Sequence, residues 1–201
     1  MTTLVVDYQI CNLGSVRRAF EALGAEDIKF SVRKEDFAAA DRVVLPGVGS
    51  FRQGMENLQR LDLIAALKEY AQEGKPLLGL CLGMQLLFTE GEEFGRTGGL
   101  GLIPGRVERM QGDVPVPHVG WNQIAWTRRE KINEKIPTLS YFYFVHSYVC
   151  RPDGEQDILG LTDYGEDFPS AIQHDNILGL QCHPEKSQQP GLTWLANFLR
   201  L

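Results

Sequence analysis

Two short stretches of the chain hold residue types that could do covalent chemistry together. In the first, Gly79-Leu80-Cys81-Leu82-Gly83, a thiol stands between two glycines. The apolar Leu77-Leu78 follows a turn signal, Gly74-Lys75-Pro76, and reads as a strand buried on both faces, whereas Met84, Leu87 and Phe88 recur at helical spacing. The chain must therefore pass from strand to helix within about two residues of Cys81. Glycine two residues before and two after the apex removes the Cβ atoms that would collide there, the mechanical logic of the Gly-x-Ser-x-Gly elbow with cysteine in place of serine. Such a turn holds the thiol out at the end of a sheet and at a helix N-terminus. There the helix dipole and free N–H groups favour thiolate over thiol and can cradle a developing oxyanion. Taken alone, Gly-x-Cys-x-Gly also fits an ordinary buried cysteine.

The second stretch is Gln181-Cys182-His183-Pro184-Glu185. In an extended segment residues i and i+2 point to the same side, and Pro184 keeps the backbone extended, so His183 and Glu185 are expected side by side. A carboxylate bonded to one imidazole nitrogen fixes the tautomer and leaves the other nitrogen free to act as a base toward a thiol. A surface His-Pro-Glu turn is the plainer reading of that tripeptide by itself. A third segment, Pro46-Gly47-Val48-Gly49-Ser50-Phe51, has glycines on both sides of Val48 that allow its N–H groups to turn outward, as an oxyanion loop requires. A simple strand-to-helix turn explains this hexapeptide equally simply.

These groups need a scaffold, and the flanking patterns predict one. Leu4-Val5-Val6 reads as a buried strand; Ser15 to Leu23 puts Val16, Ala19, Phe20 and Leu23 on one helical face before Gly24; Ile28 to Val32 and Arg42 to Leu45 read as strands. Strand, helix, strand with short joins predicts an α/β fold with a largely parallel sheet covered by helices, and such sheets bind ligands at the carboxyl ends of their strands. Phe51 to Glu73 reads as helix interrupted near Arg60-Leu61-Asp62, and Gly91 to Gly101 as loop. From Gly105 onward short β segments follow: Arg106 to Met110, Gln123 to Trp126, Tyr141 to Cys150, Ile158 to Thr162, Ser170 to Gln173 and Ile177 to Cys182, with a hairpin turn at Asp175-Asn176. Pro115 to Asn122 reads as too proline-rich for a regular element, and the last helix as about Gly191 to Leu201. Neither repeat nor linker is evident, so residues 1–201 are expected to form one domain.

A formal net charge of −6 with scattered Lys and Arg argues against a nucleic-acid binder. No apolar run approaches the ~20 residues that cross a bilayer, and Met1 leads into a strand-like run without a signal-peptide pattern. Cys11, Cys81, Cys150 and Cys182 lie far apart without metal-site spacing. Free thiols in a reducing cytoplasm, and neither metal nor cofactor, are the expectation.

The order of a cysteine elbow followed by histidine with its acid resembles the class I glutamine amidotransferases, in which a Cys-His-Glu triad hydrolyses glutamine. A narrower resemblance rests on five blocks in order: Leu45 to Phe51, Gly79 to Leu87, Pro117 to Asn122, Tyr143 to Tyr148 and His183-Pro184-Glu185-Lys186-Ser187. Together they are similar to the glutaminase subunits of imidazole glycerol phosphate synthases, from histidine biosynthesis, over nearly the whole chain. The resemblance implies a flavodoxin-like fold and a heterodimer with a (β/α)8 cyclase subunit. That partner would receive the ammonia and make imidazole glycerol phosphate and aminoimidazole carboxamide ribotide.

Carried onto these positions, the family makes Cys81 the nucleophile, His183 the general base and then acid, and Glu185 its orienter. The oxyanion would be held by the N–H of Leu82 and one from Val48-Gly49. Gln85, one helical turn after Cys81, would bond the bound glutamine, with His146 and Ser147 near its pocket. Asn12, Trp121, Tyr143 and Lys186 would lie toward the cyclase. Two positions depart from the pattern. Gln9-Ile10-Cys11-Asn12 stands where the family carries Gly-x-Gly-Asn, and Cys182 replaces a phenylalanine, which changes the packing behind His183. A glutaminase of pyridoxal phosphate synthesis fits the last three blocks poorly, and a catalytically dead regulatory subunit would usually have lost the thiol, the base or the acid.

Overall fold

The computed structural model describes all 201 residues, Met1–Leu201. Its core is a nine-stranded mixed sheet in the order β2-β1-β3-β4-β13-β12-β11-β8-β9. The first five are parallel: β2 (Ile28–Ser31), β1 (Thr3–Val6), β3 (Arg42–Gly47), β4 (Leu77–Cys81) and β13 (Ile177–Leu180). Beyond them β12 (Asp167–His174), β11 (Ile158–Asp163), β8 (His118–Trp126) and β9 (Ser140–His146) continue antiparallel. A second sheet orders β10 (Tyr148–Pro152), β7 (Ile103–Arg109), β5 (Phe88–Gly91) and β6 (Thr97–Gly98).

Six helices flank this frame. The alternation of β1, β3 and β4 decides which helix covers which face. Leu4, Val6, Val43 and Leu45 pack with Phe51 and Leu58 of α3 (Phe51–Arg60), Leu67 of α4 (Ile64–Gln72) and Phe37 of α2 (Lys34–Ala39). Val5, Val44, Leu78 and Leu80 pack instead with Val16 and Phe20 of α1 (Leu13–Ala22) and Trp194 and Phe198 of α6 (Gln188–Phe198). The remaining helix, α5 (Leu82–Leu86), follows β4 directly.

Several expectations need correction. The helix after Cys81 stops at Leu86, and Phe88 opens β5 rather than continuing it; every residue of α5 is buried, so its apolar spacing carries no helical period beyond that point. Within the expected loop 91–101, Thr97 and Gly98 pair with Gly91 and Glu90. The segment thought too proline-rich is regular from His118, because Pro115 and Pro117 both precede β8. Tyr141 to Cys150 divides at Ser147, with β9 in one sheet and β10 in the other. No helix is long and apolar enough to cross a membrane.

Candidate active site

The carboxyl ends of the parallel strands converge on Cys81. Its backbone takes φ 53° and ψ −112°, a left-handed conformation that an L-residue holds only when its surroundings impose it. The two elbow glycines permit the close packing that holds it. A Cβ on Gly83 would stand 1.7 Å from the Leu45 carbonyl oxygen, and one on Gly79 would stand 2.6 Å from the Met84 nitrogen. The thiol is not held out into solvent as the elbow alone suggests. Cys81 is 6% exposed and forms the floor of a cavity of about 250 Å³.

His183 reaches this cavity from the segment after β13. Its N–H donates to the Tyr143 carbonyl at 2.9 Å, and Ser187 Oγ donates to the His183 carbonyl at 2.6 Å, which ties the segment to β9 and to the start of α6. The stretch Pro184–Lys186 is a 3-10 turn rather than extended backbone, a correction to the route by which the two side chains meet. They meet nonetheless: His183 Nδ1 lies 2.7 Å from Glu185 Oε1, with both side chains almost wholly buried. Since a carboxylate can only accept, Nδ1 is protonated and donates to it, and Nε2 has no hydrogen-bond partner. Burial opposes a charged imidazole, but the Cys81 sulfur and the Glu185 carboxylate outweigh it and raise His183 from 6.5 to about 10.

Val48, Gly49, Leu82, Gln85, His146 and Ser147, all expected near the substrate, line the same cavity. Register explains part of this, because Gly47 pairs with Cys81 and so brings Val48 beside Leu82. The Val48 N–H is already occupied, donating to the Ile10 carbonyl at 2.8 Å. Gly49, at φ 109°, takes a conformation that glycine adopts without strain. Gln85 spends both amide hydrogens inward, on the Tyr148 carbonyl and on Gln181 Oε1, each at 3.1 Å. Its oxygen can therefore only accept. His146 Nδ1 donates to the same carbonyl at 3.0 Å, and burial pushes its pKa down to about 3. It is a neutral wall of the cavity.

Sequence reasoning missed Glu93, which is the one carboxylate lining the cavity and which accepts the Phe51 N–H at 2.7 Å. It sits in a glycine-rich stretch with no periodicity, so no local signal marks it. The residues expected toward a partner lie outside the cavity. Trp121 is 46% exposed and packs edge-on against Tyr143 at 6.0 Å, and Lys186 Nζ stands 5.6 Å from the Tyr143 ring. Asn12 caps α1 by accepting the Ser15 N–H at 3.4 Å.

A thiol on a strained strand-to-helix elbow, faced by a carboxylate-braced histidine at the open end of a parallel sheet, is the arrangement of an amide-hydrolysing α/β enzyme. The chain belongs to the glutamine amidotransferase class-I family, whose profile spans residues 4–201. Within it, the chain belongs with the HisH subunits of imidazole glycerol phosphate synthase. The Aquifex aeolicus HisH subunit is 44% identical over 200 residues, covering 100% of this chain and 97% of that protein. That of Moorella thermoacetica is 45% identical over 194 residues, covering 96% and 92%. A solved glutamine amidotransferase superposes with a TM-score of 0.76 over 98% of this chain and 97% of its own at 21% identity, a likeness of fold.

Proposed function

We propose that the chain is the glutaminase subunit of an imidazole glycerol phosphate synthase, hydrolysing glutamine to glutamate and ammonia for histidine biosynthesis. The observation that carries this reading is the meeting of Cys81 with the His183–Glu185 pair in one cavity. The sulfur attacks the carboxamide carbon, and His183 gives its Nε2 proton to the departing nitrogen, which leaves as ammonia. Water then attacks the thioester with His183 taking its proton; glutamate leaves, and the Cys81 thiolate and the protonated His183 are restored. Glu185 supports the imidazolium throughout. Glu93 offers its charge to the substrate's α-ammonium, and the Gln85 oxygen accepts an N–H from the same molecule.

Leu82, at the first helical position, and the Val48-Gly49 segment supply the oxyanion donors. In the free chain the Val48 N–H is spent on Ile10, so one donor is withheld until that peptide turns. Losing one such donor costs about 10²–10³-fold in rate, enough to hold hydrolysis back until a partner docks. The partner is the (β/α)8 cyclase subunit, and its seat is the outer face of β8 and β9, where Val119, Trp121 and Tyr141 are 56%, 46% and 55% exposed. Because Cys81 works as a free thiol, the reading places the chain in a reducing compartment such as the cytoplasm.

An electrophilic glutamine analogue tests the assignment. It is expected to modify Cys81 alone among the four cysteines and to abolish glutamate release in step with labelling. Full labelling elsewhere with Cys81 untouched would overturn it.

A further inference from the structure

Gln181 is fully buried one residue beyond β13, where the pairing of Leu180 with Leu80 sets it beside Cys81. Its orientation follows from one unambiguous acceptor. The backbone carbonyl of Tyr148 can only accept, and it takes His146 Nδ1–H on one side and Gln85 Nε2 on the other, at 3.0 and 3.1 Å. The second hydrogen of the Gln85 amide goes to Gln181 Oε1 at 3.1 Å, so the Gln181 NH2 is turned toward the sulfur, 3.8 Å from Sγ. A reversed Gln181 would set two NH2 groups against each other. The ring sharing the Tyr148 carbonyl is itself held: His118 Nδ1 donates to His146 Nε2 at 3.1 Å, and the His118 ring stacks against Tyr164 at 3.9 Å.

We propose that Gln181 is a further catalytic residue, whose side-chain N–H donates to the Cys81 sulfur and favours its charged form, with Gln85 bracing it in that orientation. The proposal rests on Cys81 being the nucleophile. Sulfur carries negative charge twice in the cycle, before attack and again when the thioester collapses and thiolate leaves. A fixed N–H beside it stabilises both moments without reorganisation. The other titratable groups around the sulfur are His183, Tyr8, Cys150 and Cys182, with Glu185 behind His183 and Glu93 across the cavity. Burial pushes Tyr8, Cys150 and Cys182 upward, so they stay neutral near pH 7. The Gln181 amide is then the side-chain donor within hydrogen-bond distance of the Cys81 sulfur.

The test is the pH dependence of Cys81 alkylation by iodoacetamide in the full chain, followed by mass spectrometry of the Cys81 peptide. Gln181→Leu is expected to raise the midpoint by about one pH unit, a roughly fivefold loss of reactive sulfur at the wild-type midpoint and about tenfold well below it. Gln181→Glu, which differs by one atom, should raise it further by setting a carboxylate against the sulfur. Gln85→Met leaves Gln181 in place but releases its amide, and a smaller upward shift is expected. Should Gln181→Leu fail to fold, the other two variants carry the test. Wild-type midpoints in the variants that fold would overturn the proposal. Glutamate release persisting in Cys81→Ala would overturn the nucleophile assignment instead, whatever the alkylation profiles do.

Discussion

Glu185 touches the imidazole and not the sulfur, which separates its contribution from that of Cys81. Glu185→Gln keeps the shape but removes the charge that supports the imidazolium, and its NH2 group can take the place of the acceptor, so the tautomer is no longer fixed. Turnover is expected to fall about 10²–10⁴-fold, the usual scale of acid–base assistance, measured as glutamate release with the partner present. A loss as complete as that of Cys81→Ala would mean that Glu185 does more than orient. The buried histidines make a second prediction. His183, raised to about 10, holds a proton that the unfolded chain releases near 6.5, so its contribution to stability is complete below pH 6.5 and is lost as pH rises through 10. Burial pushes His118 and His146 down to about 4 and about 3; their contributions are present above pH 6.5 and are lost as pH falls through those values. Urea midpoints should therefore peak near pH 6.5, and His183→Gln should flatten only the alkaline limb. Cys81, His183 and Gln85 were legible because their types and spacing are tied to an elbow and a strand end. Glu93 was not, since only tertiary folding brings its loop against α3.

The elbow is the element on which the site depends. Gly83→Ala would place a methyl 1.7 Å from the Leu45 carbonyl, within the backbone of β3. The helix would have to lift from the sheet, taking the Leu82 N–H with it. A stability loss of about 1–3 kcal/mol or more is expected, read as a lower urea midpoint, together with loss of glutaminase activity. Wild-type stability in that variant would contradict the close packing of β4 and α5 against β3. This element could be read from the sequence because glycine spacing reports backbone contact directly. The length of α5 could not, as a helix buried all round shows no amphipathic period. The start of β8 was hidden for another reason: Pro115 and Pro117 suggest a break across Pro115 to Asn122, whereas they end just before His118. The 3-10 turn at Pro184–Lys186 also differs from the extended path expected, yet it brings His183 and Glu185 to 2.7 Å.

At the scale of the whole molecule, the parallel half of the sheet follows from strand–helix–strand order, since right-handed crossovers leave few alternatives. The antiparallel half does not, because the neighbours of β8 and β11 depend on contacts far apart in the sequence and on the division of one apolar stretch at Ser147. That half carries the exposed aromatic face of β8 and β9, so the fold places the proposed docking surface on one part of the sheet and the nucleophile on the other. The Val48–Ile10 hydrogen bond joins the segment after β3, at the cavity, to the loop after β1, the loop that departs from the family pattern. The central claim is that Cys81 makes ammonia which the partner consumes. The most direct measurement pairs the Cys81→Ala chain with an intact cyclase subunit and its nucleotide substrate, and follows imidazole glycerol phosphate with glutamine or with ammonium salt as the nitrogen source. The account predicts no product from glutamine and undiminished product from ammonium, while the wild-type pair uses both; glutamine-dependent product from the Cys81→Ala pair would contradict it.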